Sequence, residues 1–196
     1  MVEIKTEETL IEIALKIAKQ KKGCLLVIMK SKFKYAPLLG EDVKPFNIME
    51  NKRRLEALAL LDGACIITPE GLCEGYAINI LNVKMFKGYG TRHCAAYTAS
   101  LEGNTSILAS EEDNKVRIFK EGKMIMQIDP TGKEDVSIKA HKAVNIMESI
   151  GIGTLATVGI TMLAPAVGLT LGTGIVVFGS IHFITKILNN FRRIIK

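Results

Sequence analysis

Residues 64–80 read ACIITPEGLCEGYAINI, two apolar runs joined by a Pro-Glu-Gly turn. The runs over residues 64–68 and 72–80 predict the two arms of a β-hairpin, because proline and glycine favour the turn between them. The continuous apolar run over residues 24–29 is typical of a strand that is buried on both faces. Three further short strands are predicted over residues 105–109, 115–119 and 124–128.

Segments with helical spacing of apolar residues alternate with these strands. Thr6 is predicted to cap a first helix, and Gly23 is predicted to end it after a lysine-rich last turn. Further helices are predicted over residues 51–61, 92–101 and 135–148. This mixture predicts an α/β fold with a mixed central sheet flanked by helices. We place this domain at residues 1–134, followed by a connecting helix at residues 135–149.

The C-terminal part of the sequence is unusually apolar. Residues 149–185 are 37 consecutive positions without a charged side chain. A bilayer needs about 20 apolar residues for one helical span, so we expect a C-terminal transmembrane segment at residues 150–188, followed by a basic tail at residues 189–196. Pro165 lies near the centre and favours a helical hairpin with arms at residues 144–163 and 167–188. A single tilted span and a buried apolar hairpin in a soluble protein are the alternatives.

Charge is unevenly distributed along the chain. The chain has 26 basic and 20 acidic residues. Four of the basic residues and none of the acidic ones follow Ser149, so residues 1–149 carry 22 basic against 20 acidic side chains, or +2. A domain so close to neutral is not expected to bind nucleic acid, whose phosphates require clustered cations. The basic tail favours contact with membrane lipid, which predicts a membrane protein with its domain on the cytoplasmic side.

Three short polar motifs could carry chemistry. Asp62-Gly63-Ala64 places an acid at a helix-to-strand junction, where it could bind a metal or accept a proton. Gly90-Thr91-Arg92-His93 opens a helix, and the free amide groups of a helix N-terminus favour phosphate. Ser110-Glu111-Glu112 ends a strand with two acids. Each motif alone is also compatible with an ordinary turn or a capped helix, so the three must be considered together.

In their order and spacing the three motifs resemble the diadenylate cyclase domain family, whose pattern is D-G-A, then G-T-R-H-R, then S-E-[ER]. The resemblance covers roughly residues 23–127. It implies that two ATP molecules are joined into cyclic di-AMP with release of two pyrophosphates. It also implies a homodimer whose subunits meet face to face, and a divalent metal, Mg²⁺ or Mn²⁺. Cys94 departs from the pattern, since it stands where the family has the second arginine of R-H-R.

The resemblance also implies roles for single residues. The catalytic residues would be Asp62, Arg92 and His93. The nucleotide would be bound by Gly63, Ala64, Leu81, Thr91 and Ser110. The metal would be held by Asp62 and Glu112. We do not assign His93 as a general base, because phosphoryl-type transfer depends mostly on positioning and charge neutralisation.

Two other functions stay open from the sequence. Cys94 could mark a catalytically inactive sensor of nucleotides or cyclic dinucleotides that is coupled to the membrane segment. The chain could also be a membrane effector in which a nucleotide-binding domain controls the glycine-rich segment. We rank the effector last, because the apolar segment has no polar stripe that would line a pore.

Overall fold

The computed structural model describes residues 2–39, 44–132, 134–150, 167–171 and 175–179. Within these ranges the helices are α1 (Val2–Lys19), α2 (Lys52–Leu58), α3 (Thr91–Leu101) and α4 (Val136–Ile150). The strands up to the hairpin are β1 (Cys24–Ile28), β2 (Tyr35–Pro37), β3 (Phe46–Asn47), β4 (Ala64–Ile67) and β5 (Leu72–Ile80). The later strands are β6 (Thr105–Ala109), β7 (Val116–Lys120), β8 (Lys123–Ile128), β9 (Val167–Leu171) and β10 (Ile175–Gly179).

The strands form one sheet in the order β2-β5-β4-β1-β6-β7-β8-β10-β9, and β3 pairs with β5. β1 is parallel to β4, and the other pairings between described strands are antiparallel. The predicted mixed sheet with flanking helices is therefore confirmed. The central position of β1 explains its continuous apolar sequence, because both of its faces are covered.

Alternating side chains of β1 contribute to two separate cores. Cys24, Leu26 and Ile28 pack in the larger core with residues of α1, α2 and α4. Leu25 and Val27 pack in the smaller core with residues of α3. Because β1 contributes side chains to both cores, the packing of α3 against Leu25 and Val27 sets its position over the sheet. The N-terminus of α3 thus lies near the ends of β1 and β6.

The start and end of α1 differ from the prediction. The helix begins at Val2, so Thr6 is not its cap. Thr6 is buried, and its hydroxyl donates a hydrogen bond to the carbonyl of Pro69 at 3.0 Å, which ties the helix to the β4–β5 turn. The helix ends at Lys19, and Lys21 just beyond it has the left-handed conformation (φ 58°), while the amides of Lys21 and Lys22 donate to earlier carbonyls. Gly23 is therefore not the residue that ends the helix.

The apolar C-terminal segment also differs from the prediction where it is described. β10 pairs with β8, and β9 pairs with β10, so these two pieces of residues 167–188 are strands and not parts of a helical arm. Among the described residues, no helix combines the length and the apolarity that crossing a membrane requires. The rest of the predicted hairpin, except for the end of α4, and the basic tail lie outside the described residues.

Candidate functional site

A cleft of about 310 Å³ lies between the N-terminus of α3 and the C-terminal end of β6. It is lined by Gly90, Thr91, Arg92, His93, Leu108, Ala109, Ser110, Glu111 and Glu112. The first backbone hydrogen bond at this end of α3 runs from the amide of Cys94 to the carbonyl of Gly90 at 3.1 Å. The amides of residues 91–93 therefore precede the helical hydrogen bonds and are free to bind an anion.

Arg92 lies between two carboxylates at the mouth of this cleft. Its Nη2 is 3.7 Å from Oδ1 of Asp62, and its Nη1 is 3.5 Å from Oε2 of Glu111. The side chains of Arg92, Asp62 and Glu111 are 38%, 88% and 65% exposed, so these long ion pairs contribute little to stability. We call these three residues the rim. The arginine can exchange such weak partners for a phosphate, which it binds with two parallel hydrogen bonds.

Gly23 is required by the position of Arg92. A Cβ atom at residue 23 would lie 2.4 Å from Nη1 of Arg92 and 3.3 Å from the carbonyl oxygen of Ala109. Any side chain there would push the guanidinium away from its place at the cleft. The glycine that the sequence predicts as a helix end thus provides space for the cation of the site.

A buried polar group lies behind the rim. His93 is buried, and its Nε2 is 3.1 Å from Nη1 of Arg117 on β7. The same guanidinium donates two hydrogen bonds to Asp113, one of them 3.0 Å from Nη1 to Oδ1 and the other from Nη2 to Oδ2. The ring of Tyr89 packs 4.8 Å from the ring of His93. We call His93, Asp113 and Arg117 the floor.

The ionisation of the floor residues follows from their surroundings. Burial lowers the pKa of His93, and the positive charge of Arg117 lowers it further, against the opposing charges of Glu112 and Asp113. Burial alone would raise the pKa of Asp113, but hydrogen bonds from Arg117 and Ser110 hold it below its usual range. At neutral pH the floor therefore combines a neutral imidazole with an ion pair between the buried Arg117 and the partly exposed Asp113.

Residues of the first motif lie at different distances from the cleft. Asp62 reaches Arg92, as described above. Gly63 has a φ of +96°, and a Cβ there would lie 2.7 Å from the backbone nitrogen of Ile78, so this glycine permits β4 to approach β5. Ala64 is buried inside β4 and pairs with Leu25 of β1. Leu81 is exposed just after β5, and it is not among the described residues that line the cleft.

Cys94 points away from the residues that line the cleft. Its sulfur accepts a hydrogen bond from the amide of Phe86 at 3.3 Å, and it lies 3.9 Å from the carbonyl oxygen of Tyr89. The side chain is buried under the segment that leads into α3. The departure from the R-H-R pattern thus falls on the face of α3 that holds this segment, whereas Thr91, Arg92 and His93 line the cleft.

The candidate metal ligands do not form a closed cage. No group of three or more His, Cys, Asp or Glu side chains among the described residues is arranged to hold an ion. Glu112 lines the cleft, and its Oε1 lies 3.1 Å from the place that a Cβ would take at Gly90. Mg²⁺ is usually bound through one or two carboxylates together with substrate phosphates and water. The assignment of Asp62 and Glu112 as ligands of such an ion stays a prediction.

Sequence reasoning missed Asp113, Arg117 and Tyr89. Arg117 stands in the apolar strand sequence VRIFK, where an arginine is unexpected. In a strand, alternate residues share a face, so Arg117 is on the same face as Phe119, which packs in the core under α3. An acid four residues before this arginine was the available signal, but the contact with His93 depends on the tertiary fold.

Comparison with known proteins identifies the family. A family model described as "DAC: DisA bacterial checkpoint controller nucleotide-binding" matches residues 12–124, which is more than half of the chain. The chain belongs to this DAC family. The matched range contains α3, the rim and the floor, and it confirms the resemblance that the three motifs indicate.

Two curated relatives match part of the chain. A "Diadenylate cyclase" of Methanocaldococcus jannaschii is 39% identical over 101 residues, which are 48% of this chain and 31% of that protein. A "Diadenylate cyclase" of Haloferax volcanii is 40% identical over 81 residues, which are 39% of this chain and 30% of that protein. The match thus covers about a third of the length of each of these relatives.

Two solved structures are similar to part of the fold. The hypothetical membrane spanning protein from Bacillus cereus is 18% identical with a TM-score of 0.43, and the match covers 57% of this chain and 58% of that chain. DacA from Staphylococcus aureus is 17% identical with a TM-score of 0.48, and the match covers 72% of this chain and 94% of that chain.

Proposed function

We propose that this chain is the catalytic domain of a diadenylate cyclase, which joins two ATP molecules into cyclic di-AMP and releases two pyrophosphates. Membership of the DAC family and the names of two relatives support this proposal. The observation that carries it is the position of Arg92, which lies at the free amide groups of α3 and, among the described residues, is held by two long, exposed ion pairs. Such a cation is available for the triphosphate of ATP.

The reaction requires two bonds to change at each phosphorus. The ribose 3′-hydroxyl of one ATP attacks the α-phosphorus of the other, a new P–O bond forms, and the P–O bond to pyrophosphate breaks. The hydroxyl proton passes to solvent water as the bond forms, and the negative charge departs with the pyrophosphate. Catalysis of this kind depends on alignment and on neutralising the charge of the phosphoryl oxygens. The cation of Arg92 and the amides of residues 91–93 would supply both to the triphosphate.

The remaining residues have more limited roles in this proposal. Asp62 would lie near the attacking 3′-hydroxyl and the metal. The backbone of Gly63 and Ala64 would contact the nucleotide, and Leu81 would pack near adenine, where its exposure leaves it accessible. Ser110 would bind phosphate. A divalent ion bound by Asp62 and Glu112, Mg²⁺ or Mn²⁺, would neutralise charge on the triphosphate.

Two ATP molecules must meet, so we propose that two copies of this chain associate face to face. The segment before α3 carries exposed apolar side chains that a second copy could cover: Leu81, Val83, Met85 and Tyr89. Met85 is 86% exposed. We expect Met85→Glu to weaken self-association in sedimentation equilibrium and to lower turnover per subunit. Lower turnover that is not recovered at high protein concentration would contradict this explanation.

Incubation of the purified protein with ATP and Mn²⁺ or Mg²⁺, with products identified by mass, tests the activity. The proposal predicts cyclic di-AMP and pyrophosphate in a ratio of one to two. Bound but unreacted ATP, or preferential binding of cyclic di-AMP, would instead favour the inactive sensor. The burial of Cys94 against the segment before α3 supports the cyclase, because the missing second arginine would not lie among the residues that line the cleft.

Asp62→Asn tests the role of the first motif. The substitution removes a charge from an exposed side chain without changing its shape, so the fold should be unaffected. We expect turnover to fall by about 100-fold or more if this carboxylate acts at the reacting hydroxyl or the metal. Glu70→Gln, which removes an exposed charge in the β4–β5 turn, is the matched control and should leave turnover unchanged. Equal turnover in both variants would refute the role of Asp62.

We also propose that the apolar C-terminal segment associates with membrane lipid and keeps the catalytic domain on the cytoplasmic side. The uncharged run over residues 149–185 and the basic residues after it support the proposal. The pairing of β10 with β8 supports the alternative that part of this segment completes the sheet. Flotation of the full chain with anionic vesicles distinguishes them: co-flotation that survives high salt supports insertion, and a chain that stays at the bottom supports the alternative.

A further inference from the structure

Arg117 is a nearly buried arginine that the proposed reaction does not use directly. It is 5% exposed, and it lies on β7 under the first turn of α3. Its Nη1 faces both Asp113 and the ring of His93, whereas its Nε is buried and makes no hydrogen bond with the described residues. An apolar side chain of similar length would avoid the cost of burying this charge. The presence of an arginine therefore calls for a role beyond packing.

The hydrogen bond between Arg117 and His93 has only one chemical arrangement. A guanidinium carries donors and no acceptor, so Nε2 of His93 must accept the hydrogen bond of 3.1 Å. A neutral imidazole that accepts at Nε2 has its proton on Nδ1. An imidazolium would place an N–H of its own against the N–H of Arg117, which burial and the charge of Arg117 both oppose.

We propose that Arg117 is a positioning residue that fixes His93 as the neutral tautomer with its proton on Nδ1, so that His93 can meet a nucleotide phosphate only as a hydrogen-bond donor. The consequence for ATP rests on the proposed function, but the tautomer itself does not. It also means that His93 has no free acceptor nitrogen, so the ring cannot take a proton from the ribose hydroxyl.

The surroundings of His93 hold this arrangement from several sides. The two hydrogen bonds that Arg117 donates to Asp113 fix the plane of its guanidinium. The side chain of Ser110 holds Asp113 in turn through its own hydrogen bond to the carboxylate. Tyr89 covers both partners, since its ring lies 4.8 Å from the ring of His93 and 5.6 Å from Cζ of Arg117. The charges that face the imidazole are Arg117 from β7, and Glu112 and Asp113 from the turn after β6.

Nuclear magnetic resonance of the ¹⁵N-labelled full chain at neutral pH measures the tautomer directly. Two-bond correlations between ring protons and ring nitrogens distinguish a protonated from an unprotonated nitrogen, and the spectrum of His93→Gln assigns the signals. We expect one tautomer with the proton on Nδ1. A proton on Nε2, or two tautomers in exchange, would overturn the proposal without any variant of Arg117.

Two variants of Arg117 separate positioning from packing. Arg117→Met keeps the length of the side chain but removes the donor, so the proton of His93 should redistribute to Nε2. Arg117→Lys keeps a donor and a charge, so the tautomer should be retained even though both variants lose the paired hydrogen bonds to Asp113. An unchanged tautomer in a folded Arg117→Met protein would overturn the proposal, and so would equal spectra for the two variants. If Arg117→Met does not fold, the wild-type spectrum still decides.

ATP affinity, measured by calorimetry on the same three proteins, tests the link to the proposed function. We expect about tenfold weaker binding in Arg117→Met and a smaller loss in Arg117→Lys. The reason is that the His93 ring can no longer donate a hydrogen bond from Nδ1 to a charged phosphate once its proton has moved to Nε2. If the wild type does not bind ATP, the proposed function fails while the tautomer result stands. Weaker binding in Arg117→Met without a change of tautomer would overturn the positioning role.

Discussion

The rim and the floor of the cleft use an arginine in opposite ways. Arg92 on the rim is partly exposed and meets its two carboxylates at 3.5 and 3.7 Å. Arg117 in the floor is buried and makes two hydrogen bonds to a single carboxylate, one of them 3.0 Å long. Long pairs of an exposed guanidinium leave the cation free to change partners, whereas two parallel hydrogen bonds fix a buried guanidinium.

This difference assigns separate roles to neighbouring residues of α3: contact with a ligand at the rim and fixed packing in the floor. Thr91, Arg92 and His93 follow one another in the first turn, yet Arg92 reaches outward to the rim while His93 points down to the floor. A ligand could therefore replace rim contacts without disturbing the buried group. Variants of the rim should change binding and not stability, and variants of buried positions should change both.

Cys94→Arg gives the largest expected effect, because it restores the family's second arginine at a buried position. The longer side chain would have to fit into the space that the buried Cys94 thiol fills against the backbone of Phe86 and Tyr89. We expect the free energy of unfolding to fall by about 3 kcal/mol or more, since burying a charge and overfilling a packed position are both costly. Urea unfolding measures the loss, and Cys94→Ala is the control of smaller volume.

The same variant can also contradict the position that the structure gives to the side chain of residue 94. If Cys94→Arg is as stable as the wild type and turns over ATP faster, position 94 faces the phosphates and the rim includes a third residue of this turn. The inactive-sensor hypothesis would then gain support, because the cation would have been the missing part.

Gly23→Ala is expected to have an intermediate effect that is confined to the rim. The added Cβ would lie 2.4 Å from Nη1 of Arg92, so the guanidinium must move away from Gly23. Losing one charge-assisted hydrogen bond to ATP corresponds to about tenfold weaker binding, with little change in unfolding. In the background of Arg92→Gln, Gly23→Ala should have no further effect on affinity, because the group it displaces is already absent. Independent, additive losses would show that Gly23 acts elsewhere.

Acidification should protonate His93 in the floor, and the resulting loss of stability is the smallest effect that we expect. His93 has a lowered pKa in the folded protein, so the unfolded chain binds more protons as the pH falls below the ordinary value of about 6.5. Stability from the neutral ring is therefore complete above that value and is lost below it. We expect the wild type to lose more stability than His93→Gln between about pH 7 and about pH 5.5 in urea unfolding. A wild type that gains stability relative to the variant would contradict a neutral, buried His93.

The sequence predicted best those elements whose pattern is local. The strand predicted over residues 105–109 and the arm over residues 72–80 have the same bounds in the structure, because turns delimit apolar runs on both sides. The short strands β2 and β3 have no such pattern, since only their pairing with β5 makes them strands. The start of α1 was misjudged because Thr6 uses its hydroxyl for Pro69, a contact between distant parts of the chain.

The candidate site shows the same limit. Motif order predicted Asp62, Arg92 and Glu112 as site residues, since their residue types and spacing match the family's pattern. The role of Gly23 and the contact of Arg117 with His93 could not be predicted, because each depends on two segments that meet only in the folded domain. At position 94 the sequence showed only that the second arginine of the family's pattern is replaced. The structure adds that the Cys94 side chain packs against Phe86 and Tyr89 and not among the residues that line the cleft.

The central claim is that the mouth of the cleft at α3 binds the triphosphate of ATP through Arg92. Calorimetric ATP binding to the wild type, to Arg92→Gln and to Arg53→Gln tests it most directly, since Arg53 is an exposed arginine on α2, outside the cleft lining. We expect Arg92→Gln to bind at least about tenfold more weakly, and Arg53→Gln to bind like the wild type, with all three proteins equally stable. Equal affinity in Arg92→Gln and the wild type would contradict the account.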